Sequence, residues 1–256
     1  GVPTITTSLR GLVDGVIVVD QQMEPVHSGL GGGVVPDAFM ILSRIISSFH
    51  NDKGELLIEG LTPTEQDVFE LSDEFVKSSL SSTGVNLFEM DSYSKRLWLE
   101  PALSILAIDA PPVAESVNLL IPKAKAKVSL RLPPTEDPDH AMNMLEQHIK
   151  ENTPFNANVK FIPEAKGKGI LVDPKNEFSS KLIESFNKHW ENEVAYMGVG
   201  GSIPFANVFI NEFPNSEIVL VGAGDEEGNA HAPNESVNIS DIQRLIDSLT
   251  DAISNY

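Results

Sequence analysis

The sequence predicts a mixed α/β chain in two parts, a ferredoxin-like β-α-β-β-α-β sandwich (α+β) followed by an α/β unit of helices and short strands. Three observations carry the prediction. Four β-rich runs and two amphipathic helical stretches occur in that order, an acidic stretch at about 55–100 interrupts them, and near Gly167 the texture changes to helices alternating with strands.

The first strand is read at 9–19, where Leu9, Val13, Val16, Ile17, Val18 and Val19 make a β-rich run that stops at Asp20-Gln21-Gln22. Pro36 then opens a helical pattern, with Phe39, Met40, Ile41, Ile45, Ile46 and Phe49 returning every three or four residues, and Asn51-Asp52-Lys53-Gly54 ends it. Strands follow at Leu103–Ile108 and Ala124–Leu132. A helix at Pro138–Ile149 comes next, with Ala141, Met144, Leu145 and Ile149 on one face, and a strand near Asn158–Ile162 closes the sandwich. Residues 55–100, acidic at Glu65, Asp67, Glu70, Asp73 and Glu74, read as an insertion. The second part is read as a helix at Phe178–Trp190, a strand at Val194–Met197, a helix after Pro204, a buried-type strand at Glu217–Val221 and a helix at Ile239–Ile253.

Composition narrows the function classes. Eighteen Lys and Arg against 37 Asp and Glu give a net charge of −19, which repels polyphosphate and argues against nucleic acid or anionic lipid as partner. A small molecule or peptide fits better. No run approaches a membrane helix, and with no cysteine any metal must be held by His, Asp and Glu; a cytoplasmic location is expected.

The six histidines form no His-x-His or His-x-x-x-His pair. His140 and His148 are expected on a solvated helix face, and His50 and His189 at helix ends, where imidazolium meets the carbonyl dipole. His27 stands in the Gly-rich join Pro25-Val26-His27-Ser28-Gly29-Leu30-Gly31-Gly32-Gly33, and reads equally as an incidental turn residue or a placed one. His231 lies in a polar, acidic loop after the Glu217–Val221 strand, the kind of strand end that carries sites in α/β sheets. One imidazole beside carboxylates suits zinc but falls short of the three or four ligands zinc takes. Gly200-Gly201-Ser202-Ile203-Pro204 is a turn into a helix N-terminus, able to bind an anion or simply to cap the helix. Ser202 lacks a nucleophile elbow around it. Arg131, before Pro133-Pro134, reads as a carboxylate clamp or a surface ion pair.

In order, Pro3-Thr4-Ile5 through Leu9-Arg10-Gly11, His27-Ser28-Gly29 with Gly32-Gly33, Pro101-Ala102-Leu103-Ser104-Ile105, Ile121-Pro122 leading to Arg131, Gly200-Gly201-Ser202-Ile203-Pro204 and His231-Ala232-Pro233-Asn234-Glu235 resemble the aminoacylase/carnosinase metallopeptidase family, particularly its bacterial dipeptidases. The resemblance implies a lid and dimerisation domain at 9–166, with its insertion at about 55–100, between catalytic-domain segments at 1–8 and 167–256. It implies a homodimer paired through the lid, a dizinc site in which His231 is one ligand, and hydrolysis of a dipeptide. By the same resemblance His27 stabilises the oxyanion in the partner's site, and Arg131, Gly200, Gly201 and Ser202 hold the substrate carboxylate.

Departures accompany the match. The family's His-x-Asp motif, its Glu-Glu pair and a further Asp precede the segment where this chain begins, so the chain is expected to be an inactive C-terminal part of a longer enzyme. The Pro122 to Arg131 interval is one residue shorter than in many relatives, and Pro163 to Gly169 holds no counterpart of the lid histidine some members carry. Two other readings stand beside the dipeptidase: a non-catalytic dimerisation module, and a deacylase or desuccinylase acting on N-acyl amino acids.

Overall fold

A computed structural model of the chain describes residues 1–79, 86–201, 203–213, 215–225, 228 and 233–256. Along it run β1 (Thr4–Leu9), β2 (Gly11–Asp20), β3 (Val26–His27), α1 (Ser28–Gly31), α2 (Ala38–Ser48), α3 (Asp73–Ser79), α4 (Tyr93–Trp98), β4 (Ala102–Asp109) and β5 (Leu119–Leu120). β6 (Lys123–Leu132), α5 (Pro138–Glu151), β7 (Val159–Gly167), β8 (Ile170–Leu171), α6 (Glu177–His189), β9 (Ala195–Val199), α7 (Pro204–Glu212) and α8 (Ile239–Ser254) follow. The chain divides into two compact units. One comprises Gly11–Thr64 and Glu100–Gly169, the other Gly1–Arg10, Glu65–Leu99 and Ile170–Tyr256.

The first unit has the predicted ferredoxin-like order, an antiparallel sheet β4-β6-β2-β7. Alternation decides its faces. Val13, Ile17 and Val19 of β2 and Ala124, Ala126, Val128, Leu130 and Leu132 of β6 are buried against Ile41, Leu42, Ile45 and Phe49 of the α2 region and Ala141, Leu145 and Ile149 of α5. Burying an Ile or Leu contributes about 1.5–3 kcal/mol, whereas a β-branched residue costs a helix only a few tenths. Tertiary packing therefore holds the isoleucine-rich α2 helical. Its start is fixed by the Asp37 carboxylate, which accepts from the Met40 N–H at 2.9 Å. Asp137 does the same for α5, accepting from the Asp139 and His140 N–H groups, and those bonds, His140's foremost, hold its carboxyl below the usual range.

Two expectations in this unit are corrected. The last strand does not stop at Ile162 but continues through Pro163 to Gly167, because β7 is an edge strand with a register shift opposite Asp14 and Gly15, where a missing N–H costs no ladder bond. His148 is not on a solvated face: it is 9% exposed, stacked on Phe49 at 5.2 Å, with Nε2 3.1 Å from the Ser48 hydroxyl.

The second unit is built on a three-stranded sheet β8-β1-β9, with β1 parallel to β9 and antiparallel to β8. Ile5 packs with Leu182 and Phe186 of α6 and Ala252 of α8, while Leu9 and Ile170 pack with Ala206 of α7. The predicted strand at Glu217–Val221 is reduced to one bridge, in which the Thr6 N–H donates to Leu220 O. β1 has β9 along one edge, and on the other β8 already takes Ser8 and Leu9. Residues 65–99 supply a small core of Leu71, Val76, Trp98 and Leu99 that meets Met197 of β9. Among the described residues no helix is long and apolar enough to cross a membrane.

Candidate active site

The sheet of the first unit has one face under the helices and one without them. On the face away from the helices β6 carries Lys123, Lys125, Lys127, the buried Ser129 and Arg131, since its alternate residues fill the core. Each lysine has an acidic neighbour: Asp20 at 3.0 Å for Lys123, Asp109 at 3.9 Å for Lys125 and Glu164 at 2.7 Å for Lys127. The hydrogen bond that Lys127 donates to the Glu164 carboxylate raises its ammonium pKa above the ordinary range. Arg131 is different. It lies in register with Leu12 and Ala102, half-buried between small and apolar neighbours, and its guanidinium has no ion pair or hydrogen bond among the described residues. A planar, permanently charged fork in that state is suited to a carboxylate.

His27 is held at the other end of this unit. β3 pairs with β5, His27 opposite Leu119, and the Ser28 N–H donates to Asn118 O at 2.8 Å. The His27 ring caps the turn that follows, its Nδ1 accepting from the Gly29 N–H at 3.1 Å. A nitrogen that accepts carries no proton, so the neutral ring has its proton on Nε2 and offers an N–H donor from an exposed side chain.

In the second unit β9 runs into Gly200 and Gly201. Arg10, the single residue between β1 and β2, is 8% exposed and grips this exit twice: its main-chain N–H donates to Val199 O at 3.2 Å, its Nε to Gly200 O at 3.1 Å. The two glycines differ. A Cβ on Gly200 would lie 3.1 Å from Arg10 Nη2 and 3.2 Å from Leu97 O, whereas one on Gly201 would meet, among the described residues, nothing nearer than Val199 Cγ1 at 4.0 Å. Beyond them α7 begins without a side-chain cap. Ser202 and His231 lie outside the described residues.

The structure thus puts His27 and Arg131 in one unit and Gly200 and Gly201 in the other. Among the described residues no group of three or more His, Asp or Glu side chains is placed to hold a metal. Arg10 received no role from the sequence. Its signal was there, a lone cation interrupting an apolar β-rich run, but the partner that explains it is 190 residues away.

The order and pairing of the first unit's strands and helices place it in a class that sequence comparison identifies. The profile of the peptidase dimerisation domain matches residues 7–157, more than half of the chain, and the chain belongs to that family. It is 31% identical over 255 residues to the cysteinylglycine-S-conjugate dipeptidase of Corynebacterium striatum, covering 96% of this chain and 55% of that protein. The fold is that of the di-peptidase Dug1p from Saccharomyces cerevisiae, with a TM-score of 0.79 at 22% identity over 99% of this chain and 56% of that one. Human carnosine dipeptidase 1 gives 0.78 at 18% identity, over 99% and 57%. The chain spans about half the length of the relatives it matches. These matches bear out the resemblance to the dipeptidase family read from the ordered motifs.

Proposed function

We propose that this chain is the C-terminal part of a metal-dependent dipeptidase that acts as a homodimer on small substrates with a free C-terminal carboxylate. The observation that carries the reading is Arg131: in a row of cations on one sheet face, it alone among the described residues lacks a partner, while the lysines beside it are paired. The relatives named as dipeptidases support a substrate carboxylate as its ligand.

Arg131 takes the substrate carboxylate bidentately, with Gly200, Gly201 and Ser202 supplying further donors at the entry to α7. His27 donates its Nε2–H to the oxyanion that develops at the scissile carbon. A bound divalent metal, zinc in this reading, would polarise the carbonyl and activate water. His231 is the ligand this chain would bring to it. The described residues do not by themselves make a metal site, so the roles assigned to the other side chains stand independently of it.

Within one chain His27 and Arg131 cannot reach the same dipeptide. β6 enters at Lys123, beside the β3–β5 pair, and Arg131 lies eight steps further, roughly 26 Å of strand. Two extended residues span about 7 Å. That separation supports lending His27 to a partner subunit. β4 is the edge for pairing: it bears Leu106 and Ile108, 56% and 50% exposed, and no proline, while the opposite edge is blunted by Pro163. The unit made of Gly11–Thr64 and Glu100–Gly169 would then be the lid, and the remainder part of the catalytic domain.

The test is hydrolysis of Cys-Gly and of its C-terminal amide by the full-length protein, before and after chelation. The expected result is metal-dependent turnover of the free dipeptide, with the amide poorer by about tenfold or more. Equal rates on both, or no turnover of either, would overturn the reading.

A further inference from the structure

Arg10 stands outside every role assigned above, yet it holds both carbonyls that lead into the glycine turn. A peptide bond is planar and trans, so the carbonyl of Gly200 and the N–H of Gly201 point in opposite directions. Fixing the carbonyl fixes the donor. The Arg10 Nε holds Gly200 O at 3.1 Å, and the Arg10 main-chain N–H holds the preceding carbonyl, Val199 O, at 3.2 Å. Two consecutive carbonyls are therefore turned toward Arg10, and the Gly201 N–H is turned away from it; the Gly201 Cβ position is itself uncrowded by the described residues.

Glycine at 200 follows from the same contact. Its φ is not in the left-handed region, so conformational freedom is not the reason for it. The space a side chain needs is taken by Arg10 Nη2 and Leu97 O, at 3.1 and 3.2 Å. Leu97 belongs to α4, and the next residue, Trp98, is 5% exposed and closes over β9 so tightly that a Cβ on Gly198 would stand 2.4 Å from its own Cβ. The acidic stretch read as an insertion thus forms the wall against which the glycine turn is set.

We infer that Arg10 is a positioning residue for carboxylate recognition: by gripping Gly200 O it aims the Gly201 N–H at the substrate's C-terminal carboxylate. The inference rests on the proposed dipeptidase reading and adds a determinant of its selectivity. A donor aimed at a carboxylate acts on binding of that group, so its loss appears in KM for substrates that carry the group and leaves those without it unchanged.

The experiment compares wild type, Arg10→Ala, Arg10→Lys and Gly200→Ala in the full-length protein, with Cys-Gly and its C-terminal amide as substrates. Arg10→Ala should raise KM for the free dipeptide by about tenfold while kcat and the amide's kcat/KM change by less than about threefold. Arg10→Lys, which keeps the charge but not the Nε–H geometry, should recover part of the loss. Gly200→Ala should reproduce the loss with Arg10 intact, and it carries the kinetic test if Arg10→Ala does not fold. Equal losses on both substrates, or no loss on either, would overturn the inference while leaving the dipeptidase reading in place. A wild type indifferent to the carboxylate would overturn both. A double-mutant cycle in Tm supplies a readout independent of activity: Gly200→Ala should cost less beside Arg10→Ala or Arg10→Lys than in wild type, because the crowded guanidinium is gone, and additive costs would count against the contact.

Discussion

Arg131 and His27 occupy opposite ends of one unit, Arg131 beside Leu12 where β2 begins, His27 beside Leu119 beyond the end where β2 leaves the sheet. Their separation makes subunit exchange a decisive measurement. His27→Ala alone should lower kcat by about 10²–10³, and Arg131→Ala alone should impair its own site. Mixed dimers of the two variants should regain one intact site, built from Arg131 of one chain and His27 of the other. If mixing restores nothing while both homodimers form, the two residues do not meet across subunits.

Arg131 itself should respond to shape as well as charge. Arg131→Lys keeps a cation but loses the bidentate fork, so KM for a dipeptide should rise by about tenfold, and by more in Arg131→Ala. Because the Arg131 guanidinium has no partner in the described fold, Tm should shift little in either variant. A large loss of Tm with unchanged KM would make Arg131 a structural residue.

His148 gives the first unit a pH dependence. Burial disfavours the charged imidazolium and pushes its pKa below 6.5, and this outweighs the neighbouring Ser48, Leu57, Glu151 and Glu59 groups that raise it. The unfolded chain therefore binds a proton that the folded one does not. Stability is complete above the unfolded value and is lost as pH falls from about 6.5 toward the folded pKa. Thermal denaturation from pH 7.5 to 5 should show Tm falling through that window. His148→Phe, which keeps a ring against Phe49, should flatten the slope, and an unchanged slope would assign it to other groups.

The wall beside the glycine turn should be costly to disturb. Trp98→Ala removes a buried indole and is expected to destabilise by about 3–5 kcal/mol. Ser94→Ala leaves the buried Leu71 N–H without the hydroxyl that accepts from it at 2.8 Å, a loss of about 1–3 kcal/mol. Denaturant unfolding of the full-length protein measures both. Changes below about 0.5 kcal/mol would show that residues 65–99 are a loose appendage.

Local chemistry was legible where one element answers to its own sequence. The β-rich runs of β2 and β6, Pro36 and Pro138 at the helix starts, and the turn after Phe49 pointed to the sandwich and its order directly. The strand expected at Glu217–Val221 was apolar and β-rich, but its run could not reveal that β8 already occupied part of the edge it needed. His148 was misread because its position on the helix gives a face and not the depth at which that face is buried; Phe49 and Ser48, about a hundred residues earlier, set the depth.

By itself the sequence determined the fold class, the alternation that leaves β6 with one cationic face, and the ordered motifs that resemble a dipeptidase. Only the tertiary structure decided that Arg131 is the cation left unpartnered on that face, that His27 caps its own turn at the far end, and that Arg10 holds Gly200. The reason is physical. Periodicity records which side of an element avoids water, whereas charge pairing, crowding and hydrogen bonding depend on atoms that long-range folding brings within a few ångströms.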